Sequence, residues 1–169
     1  LNEGHASLAA LELLRAARAD GLGHTAAIES VRSRVVFTTH TPVAAGNEHY
    51  SADEVASVFG RLADHVGIDD HELRELSSDA SGGLGVTELA LRLSRSTNGV
   101  SKKHGEVARG MWQHLWPGRD ARDVPIRHVT NGVHAPTWMA SPMRELLDRH
   151  LGADWSTKGG EVLERIDAI

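Results

Sequence analysis

The chain has 169 residues, 40% of them hydrophobic and 24% charged, with a formal net charge of −5 and no cysteine. That length and balance describe a soluble globular domain with a core of its own. They exclude disulfide frameworks, zinc–thiolate sites and thiol catalysis, and the negative charge argues against general affinity for nucleic acid or anionic membranes.

No apolar run is long enough to span a membrane, and no signal peptide opens the chain. The sequence starts at Leu1 and its opening residues read as an element already under way, so the chain is expected to be an internal fragment of a longer protein. The absence of cysteine fits a reducing cytoplasm. The charge is uneven: Glu48 to Asp79 holds nine acidic and two basic residues, Ser101 to His128 six basic and three acidic. Solvated helix faces of opposite sign explain this. The eleven histidines are scattered, without metal-ligand spacing, and no metal site is expected.

Taken in chain order, the Ala-rich stretch Ala6 to Ala19 predicts a well-buried helix stopped at Gly21. Arg34 to Thr39 reads as a short buried strand, since Val35, Val36 and Phe37 are consecutive and apolar. Ser51 and Glu54 form a capping-box pattern. Val55, Val58, Phe59, Leu62 and Val66 then share one face of a single helix that Gly67 ends. Asp69 to Glu75 predicts a short helix, and Ser77 to Gly85 a loop. Val86 to Arg95 is helical, with Leu89, Leu91 and Leu93 mostly buried. Ser101 caps a helix through His114 whose apolar face carries Val107, Ala108, Met111 and Leu115, with His104 alongside. Pro125 to Thr130 reads as a second strand. Ser141 caps the last helix, with Pro142 at its first position and Gly152 after its end. The class is α/β, rich in helix.

Three polar clusters stand beside strands or at their ends: Asn2-Glu3-Gly4-His5, Thr39-His40-Thr41-Pro42 and Thr130-Asn131-Gly132-Val133-His134. In open α/β sheets, ligands bind outside the carboxyl ends of the strands, so these clusters suggest a polyol or phosphate pocket. Each also fits ordinary structure when taken alone. Asn-Gly is a common turn, Thr-Pro stops a strand, and Glu3 suits a helix first turn.

Four segments come in an order that narrows this: Leu1 to Ala6, Val36 to Asn47 (VFTTHTPVAAGN), Asn98 to Val107 (NGVSKKHGEV) and His128 to Trp138 (HVTNGVHAPTW). Together they resemble the bacterial and archaeal type of α-glucan (glycogen or maltodextrin) phosphorylase. The resemblance runs to about Asp154. It implies a helix-rich, partial Rossmann-like domain of the two-domain GT-B-type glycosyltransferase fold. Residues 1–130 would be the C-terminal part of the N-terminal, glucan-binding domain; residues 131–169 would be the crossover and the start of the C-terminal domain. The implied reaction is reversible phosphorolysis of a terminal α-1,4-linked glucose to glucose 1-phosphate, with pyridoxal phosphate as cofactor in the full-length protein.

By position, the resemblance makes His40 the catalytic-site residue. Its side chain would bond the glucose 6-hydroxyl and its carbonyl would face the anomeric carbon, where a fixed dipole stabilises developing charge. Asn131 would hold the same hydroxyl, and Glu3, His5 and Thr41 would line the cleft. His134 is assigned nothing; His104 and Glu106 match the motif and are read as helix packing. The family's Schiff-base lysine has no counterpart in context, since Lys102, Lys103 and Lys158 are the only lysines. The isolated chain is therefore expected to bind no cofactor and to be inactive. Expected partners are an α-1,4-glucan and phosphate, not nucleic acid or membrane, and a homo-oligomer of the full-length protein is left open. A glycogen or starch synthase-like sugar-nucleotide transferase and a non-catalytic carbohydrate-binding piece are the alternatives. As a fragment, the chain is expected to expose apolar patches and to leave Val35 to Phe37 short of sheet neighbours.

Overall fold

Alternation decides the first strand. In β1 (Val36–Thr39), Phe37 and Thr39 are fully buried, whereas Val36 stands on a more open face. The computed structural model describes residues 1–59, 61–78, 83–158 and 160–168, which divide into one unit of residues 1–130 and another of residues 131–169.

In the first unit a 3₁₀ turn (Gly4–Ser7) leads into α1 (Leu8–Ala19), followed by α2 (His24–Arg34) and β1. Beyond β1 come β2 (His49–Tyr50), α3 (Ala52–Phe59), α4 (Leu62–Val66), α5 (Asp70–Ser77), β3 (Leu84–Gly85) and α6 (Val86–Arg92). The unit closes with β4 (Ser96–Gly99), α7 (Lys102–Trp112) and β5 (Ile126–His128). The second unit holds α8 (Ala135–Trp138), α9 (Ser141–Leu151) and α10 (Gly160–Leu163), with one 3₁₀ turn (Trp155–Thr157) between α9 and α10 and another (Glu164–Ala168) after α10.

The main sheet is parallel, in the order β1-β4-β5, with Thr39 opposite Gly99 and Gly99 opposite His128. All three strands therefore end together, and the turns after them share one edge. Leu1 to Glu3 run along the other side of β1: Thr38 N–H donates to Leu1 carbonyl and Glu3 N–H to Thr38 carbonyl, both at 2.9 Å. The expectation that Val35 to Phe37 lack sheet neighbours is thus corrected, because β1 is bonded on both edges. β2 and β3 form a separate antiparallel pair.

Two apolar clusters fill this unit. Leu11, Leu14, Val31, Val66, Val86, Leu89 and Leu93 join the helices α1, α2, α4 and α6. Phe37, Leu91, Ala108, Trp112, Val124 and Ile126 pack the sheet against α6 and α7. In the second unit Leu147, Leu151 and Trp155 form a small core, and Trp155 Nε1–H donates to Asp148 at 2.9 Å.

The expected capping box at Ser51 forms. Ser51 N–H donates to Glu54 at 2.7 Å and Glu54 N–H to Ser51 Oγ at 3.3 Å. The Ser51 backbone, then its hydroxyl, holds the Glu54 carboxyl below its usual range. That depressed value stabilises the fold above the ordinary carboxylate pKa, and the contribution is lost as pH falls through the lowered one. Asp69 and Glu72 form a second capping box.

Four expectations need correction. The apolar stripe from Val55 to Val66 belongs to two helices: Arg61 is extended, Val58 is exposed, and Leu62 and Val66 are buried. α1 begins at Leu8, after a 3₁₀ turn. Ala140, not Ser141, is the N-cap of α9. Of the expected loop from Ser77 to Gly85, residues 79–82 lie outside the described residues, and Leu84–Gly85 is a short strand.

α7 approaches the sheet through two glycines. A Cβ on Gly99 would lie 2.8 Å from His104 Nδ1 and 3.0 Å from Gly105 N; one on Gly105 would lie 3.1 Å from Arg127 carbonyl. Gly110, in the same helix, has nothing within 4 Å of its Cβ position. Gly99→Ala therefore overpacks this contact and is expected to destabilise the chain by about 1–3 kcal/mol. Gly110→Ala gains helix propensity and is expected to stabilise by about 0.5–1 kcal/mol. Urea unfolding of both variants checks the opposite signs; two shifts of the same sign would contradict the packing.

Candidate functional site

Where β1 ends, the chain turns through His40, Thr41 and Pro42. Thr39 is buried and His40 is exposed. The turn is held from the side by Asn2 and Glu3. The His40 backbone N–H donates to Glu3 Oε1 at 2.5 Å, and the Thr41 hydroxyl donates to the same oxygen at 3.2 Å. The His40 ring lies with Nε2 2.8 Å from Asn2 Oδ1. With that oxygen accepting, Nε2 is the donor. Among the described residues, no backbone N–H donates to the His40 carbonyl.

Glu3 takes this place at φ 64°, the sole non-glycine with positive φ among the described residues. Such a conformation costs roughly 1–3 kcal/mol and persists only where its surroundings over-determine it. Here the backbone N–H is bonded to Thr38 and the carboxylate to His40 and Thr41. Gly4 follows because there is no room for more: its Cβ would stand 2.6 Å from Thr87 Oγ1 and 3.1 Å from Thr87 N.

Beside the turn is a pocket of about 100 Å³ lined by Glu3, His5, Thr41, Asn47, Glu48 and Thr87, among others. Asn47 shapes it, donating to the carbonyls of Val43 and Ala44 at 3.2 and 3.3 Å and accepting from the Thr87 hydroxyl at 3.0 Å. Gly46 leaves space for Thr41, whose Cγ2 would lie 2.8 Å from a Cβ there. The lining carries two carboxylates and no lysine or arginine. Hydroxyl groups suit such a wall; a phosphate would meet like charge.

The turn after β4 reaches the same place. His104, at the start of α7, is buried, with Nδ1 3.1 Å from Val100 N and Nε2 3.3 Å from the Thr41 carbonyl. Ser101 Oγ caps α7 by accepting the His104 N–H at 3.0 Å.

Of the residues singled out from sequence, Glu3, His5 and Thr41 line one pocket, and His40 is bonded directly to Glu3. Asn131 is exposed and opens the second unit. Asn2, Asn47, Thr87 and His104 were not assigned to the site. Asn2, Asn47 and His104 stand in the motif segments, which was the available signal; Thr87 lies outside them and gave none. Lys102 and Lys103 are exposed, Lys103 lying 3.9 Å from Glu106, and Lys158 is ion-paired with Asp154 at 2.7 Å. Among the described residues, no group of His, Asp or Glu is arranged to hold a metal ion, and no helix is long and apolar enough to cross a membrane.

The His40 turn and the pocket beside it lie at the carboxyl edge of the parallel sheet, the place where open α/β folds bind ligands. Comparison with known proteins is specific. The chain is 38% identical over 177 aligned positions to the glycogen phosphorylase of Mycobacterium tuberculosis, a match covering all of this chain and 20% of that protein. It is 36% identical over 156 residues to the maltodextrin phosphorylase of Thermococcus litoralis, covering 92% of this chain and 18% of that protein. It is 37% identical over 158 residues to the glycogen phosphorylase of Aquifex aeolicus, covering 92% and 22%. No family model matches. The chain is homologous over nearly its whole length to one segment of the glycogen and maltodextrin phosphorylases, and spans about a fifth of the length of these relatives.

The brace on His40 is open to test. A charge-assisted hydrogen bond contributes about 1.5–3 kcal/mol. Glu3→Ala is therefore expected to speed exchange of the His40 amide roughly 10- to 100-fold while the Leu14 amide, in the core of α1, stays protected. Unchanged exchange at His40 would remove Glu3 from this role.

Proposed function

We propose that the chain is part of an α-1,4-glucan phosphorylase of GT-B-type fold, which releases glucose 1-phosphate from glycogen or maltodextrin with inorganic phosphate in the cytoplasm. Residues 1–130 are the C-terminal part of its glucan-binding domain, and residues 131–169 the crossover into the next. The observation that carries this reading is the His40 turn, an exposed histidine with its backbone N–H, its ring and the Thr41 carbonyl all held, in a chain 36–38% identical to phosphorylases over 92–100% of its length.

In this reading the His40 ring holds the 6-hydroxyl of the terminal glucose. The His40 carbonyl presents its dipole to the anomeric carbon, where positive charge develops as the glycosidic bond breaks. Because the turn is fixed before substrate arrives, the dipole needs no reorganisation at the moment of reaction. His5, Glu3 and Thr41 form the adjoining wall. Asn131 holds the same hydroxyl, an assignment that rests on the resemblance.

Pyridoxal phosphate supplies proton transfer to and from the substrate phosphate in this family. The lysines of this chain do not fit its Schiff base, being exposed on the surface, Lys103 near Glu106 and Lys158 paired with Asp154, and the Glu3–Glu48 wall offers no lysine or arginine to a phosphate. The residues here act on the sugar alone.

In the full-length protein, His40→Ala and Asn131→Ala are each expected to lower kcat/KM for phosphorolysis roughly 30- to 1,000-fold, with the cofactor still bound. A glucan whose terminal glucose lacks the 6-hydroxyl is expected to erase much of both defects, since the partner group is already gone. Equal defects with both substrates would mean that these residues act through folding or cleft shape.

A further inference from the structure

His104 is buried, yet both of its ring nitrogens are committed to backbone atoms. A backbone N–H only donates, so Nδ1, 3.1 Å from Val100 N, carries no proton. A carbonyl oxygen only accepts, so Nε2, 3.3 Å from the Thr41 carbonyl, carries one. The partners on both sides thus admit a single form of the ring, the neutral Nε2–H tautomer. The ring is seated by Ser101, which takes the His104 N–H, and by Gly99, which leaves no Cβ in its way.

What this ring grips lies on the far side of His40. Glu3 holds the peptide that precedes His40, through the His40 N–H. His104 holds the peptide that follows Thr41, which offers only its carbonyl because Pro42 has no N–H. The peptide between these two anchors carries the His40 carbonyl. With both flanking planes held and the Thr41 hydroxyl also on Glu3, the rotation open to this peptide is restricted.

We propose that His104 is a positioning residue that aims the His40 carbonyl, acting through the Thr41 carbonyl and only as the Nε2–H tautomer. Its consequence for catalysis rests on the phosphorylase reading; its bonding does not. The motif from Asn98 to Val107 thereby gains a role besides helix packing: Gly99, Ser101 and His104 build a brace from the end of β4 to the turn after β1.

Two variants separate the halves of the ring. His104→Gln keeps an N–H donor near the Nε2 position, within reach of Thr41. His104→Asn keeps an acceptor near the Nδ1 position, for Val100, and loses the reach to Thr41. The first measurement is made on this chain, by long-range ¹H–¹⁵N correlation of the imidazoles and by amide exchange. The expected result is an unprotonated Nδ1 and a protonated Nε2 at His104, and His40 amide exchange that rises roughly tenfold in the Asn variant but not in the Gln variant. The second is made on the full-length protein. His104→Asn is expected to lower kcat roughly tenfold with little change in KM, His104→Gln less than about threefold, at similar melting temperatures. An Nδ1–H tautomer, or equal losses in both variants that track their melting temperatures, would overturn the proposal. If the unsubstituted full-length protein forms no glucose 1-phosphate, the phosphorylase reading fails, and the tautomer and exchange data alone decide whether His104 braces the turn.

Discussion

The hydrogen bond from the His40 backbone N–H to the Glu3 carboxylate, at 2.5 Å, is the constraint on which the rest of the site depends. It joins two segments 37 residues apart in sequence and draws the Thr41 hydroxyl onto the same oxygen. It also explains an otherwise unfavourable backbone. Glu3 tolerates a positive φ because its N–H and its side chain are both anchored to β1 and the turn beyond it. Gly4 must then follow, since the chain passes too close to the start of α6 for a Cβ.

The sheet makes this arrangement useful. Three short parallel strands in register bring the turns after β1 and β4 to one edge, where free polar groups meet without breaking the core. α7 approaches that edge closely only because Gly99 and Gly105 have no side chains, and the approach puts the His104 ring within bonding distance of the Thr41 carbonyl. Packing and chemistry are thus connected: the glycines that let the helix approach also admit the histidine that steadies the turn. The wall beside it bears carboxylates and hydroxyls and no lysine or arginine, which suits hydroxyl groups better than a phosphate.

Much of this was legible in the sequence where local rules dominate. The Ser51–Glu54 box and the Ser101 cap mark helix starts whose bonds are present, and the short helix expected from Asp69 forms, begun by a capping box to Glu72 that the structure adds. Val36-Phe37 marks β1. β4 escaped notice because Ser96-Thr97-Asn98-Gly99 lacks apolar residues; its place in the sheet comes from pairing with β1 and β5, which periodicity does not register. α2 escaped because only Ala27 and Val31 among its residues are buried, too sparse a stripe to stand out. The stripe through Val55, Val58, Leu62 and Val66 misled, because regular spacing continues across a chain that has already turned at Arg61. At the site, residue types were readable and roles were not. Glu3 looks like a wall residue until its φ and its two donors are seen, and His104 looks like core until its two backbone partners are.

The central claim is that Glu3 braces His40 and that His40, so held, meets the sugar. A crystal structure of the full-length protein with a maltooligosaccharide bound tests this most directly. The account predicts that the Glu3 carboxylate stays on the His40 N–H and the Thr41 hydroxyl, while the 6-hydroxyl of the terminal glucose bonds the His40 ring. A Glu3 side chain swung onto the sugar, with the His40 N–H released, would contradict it.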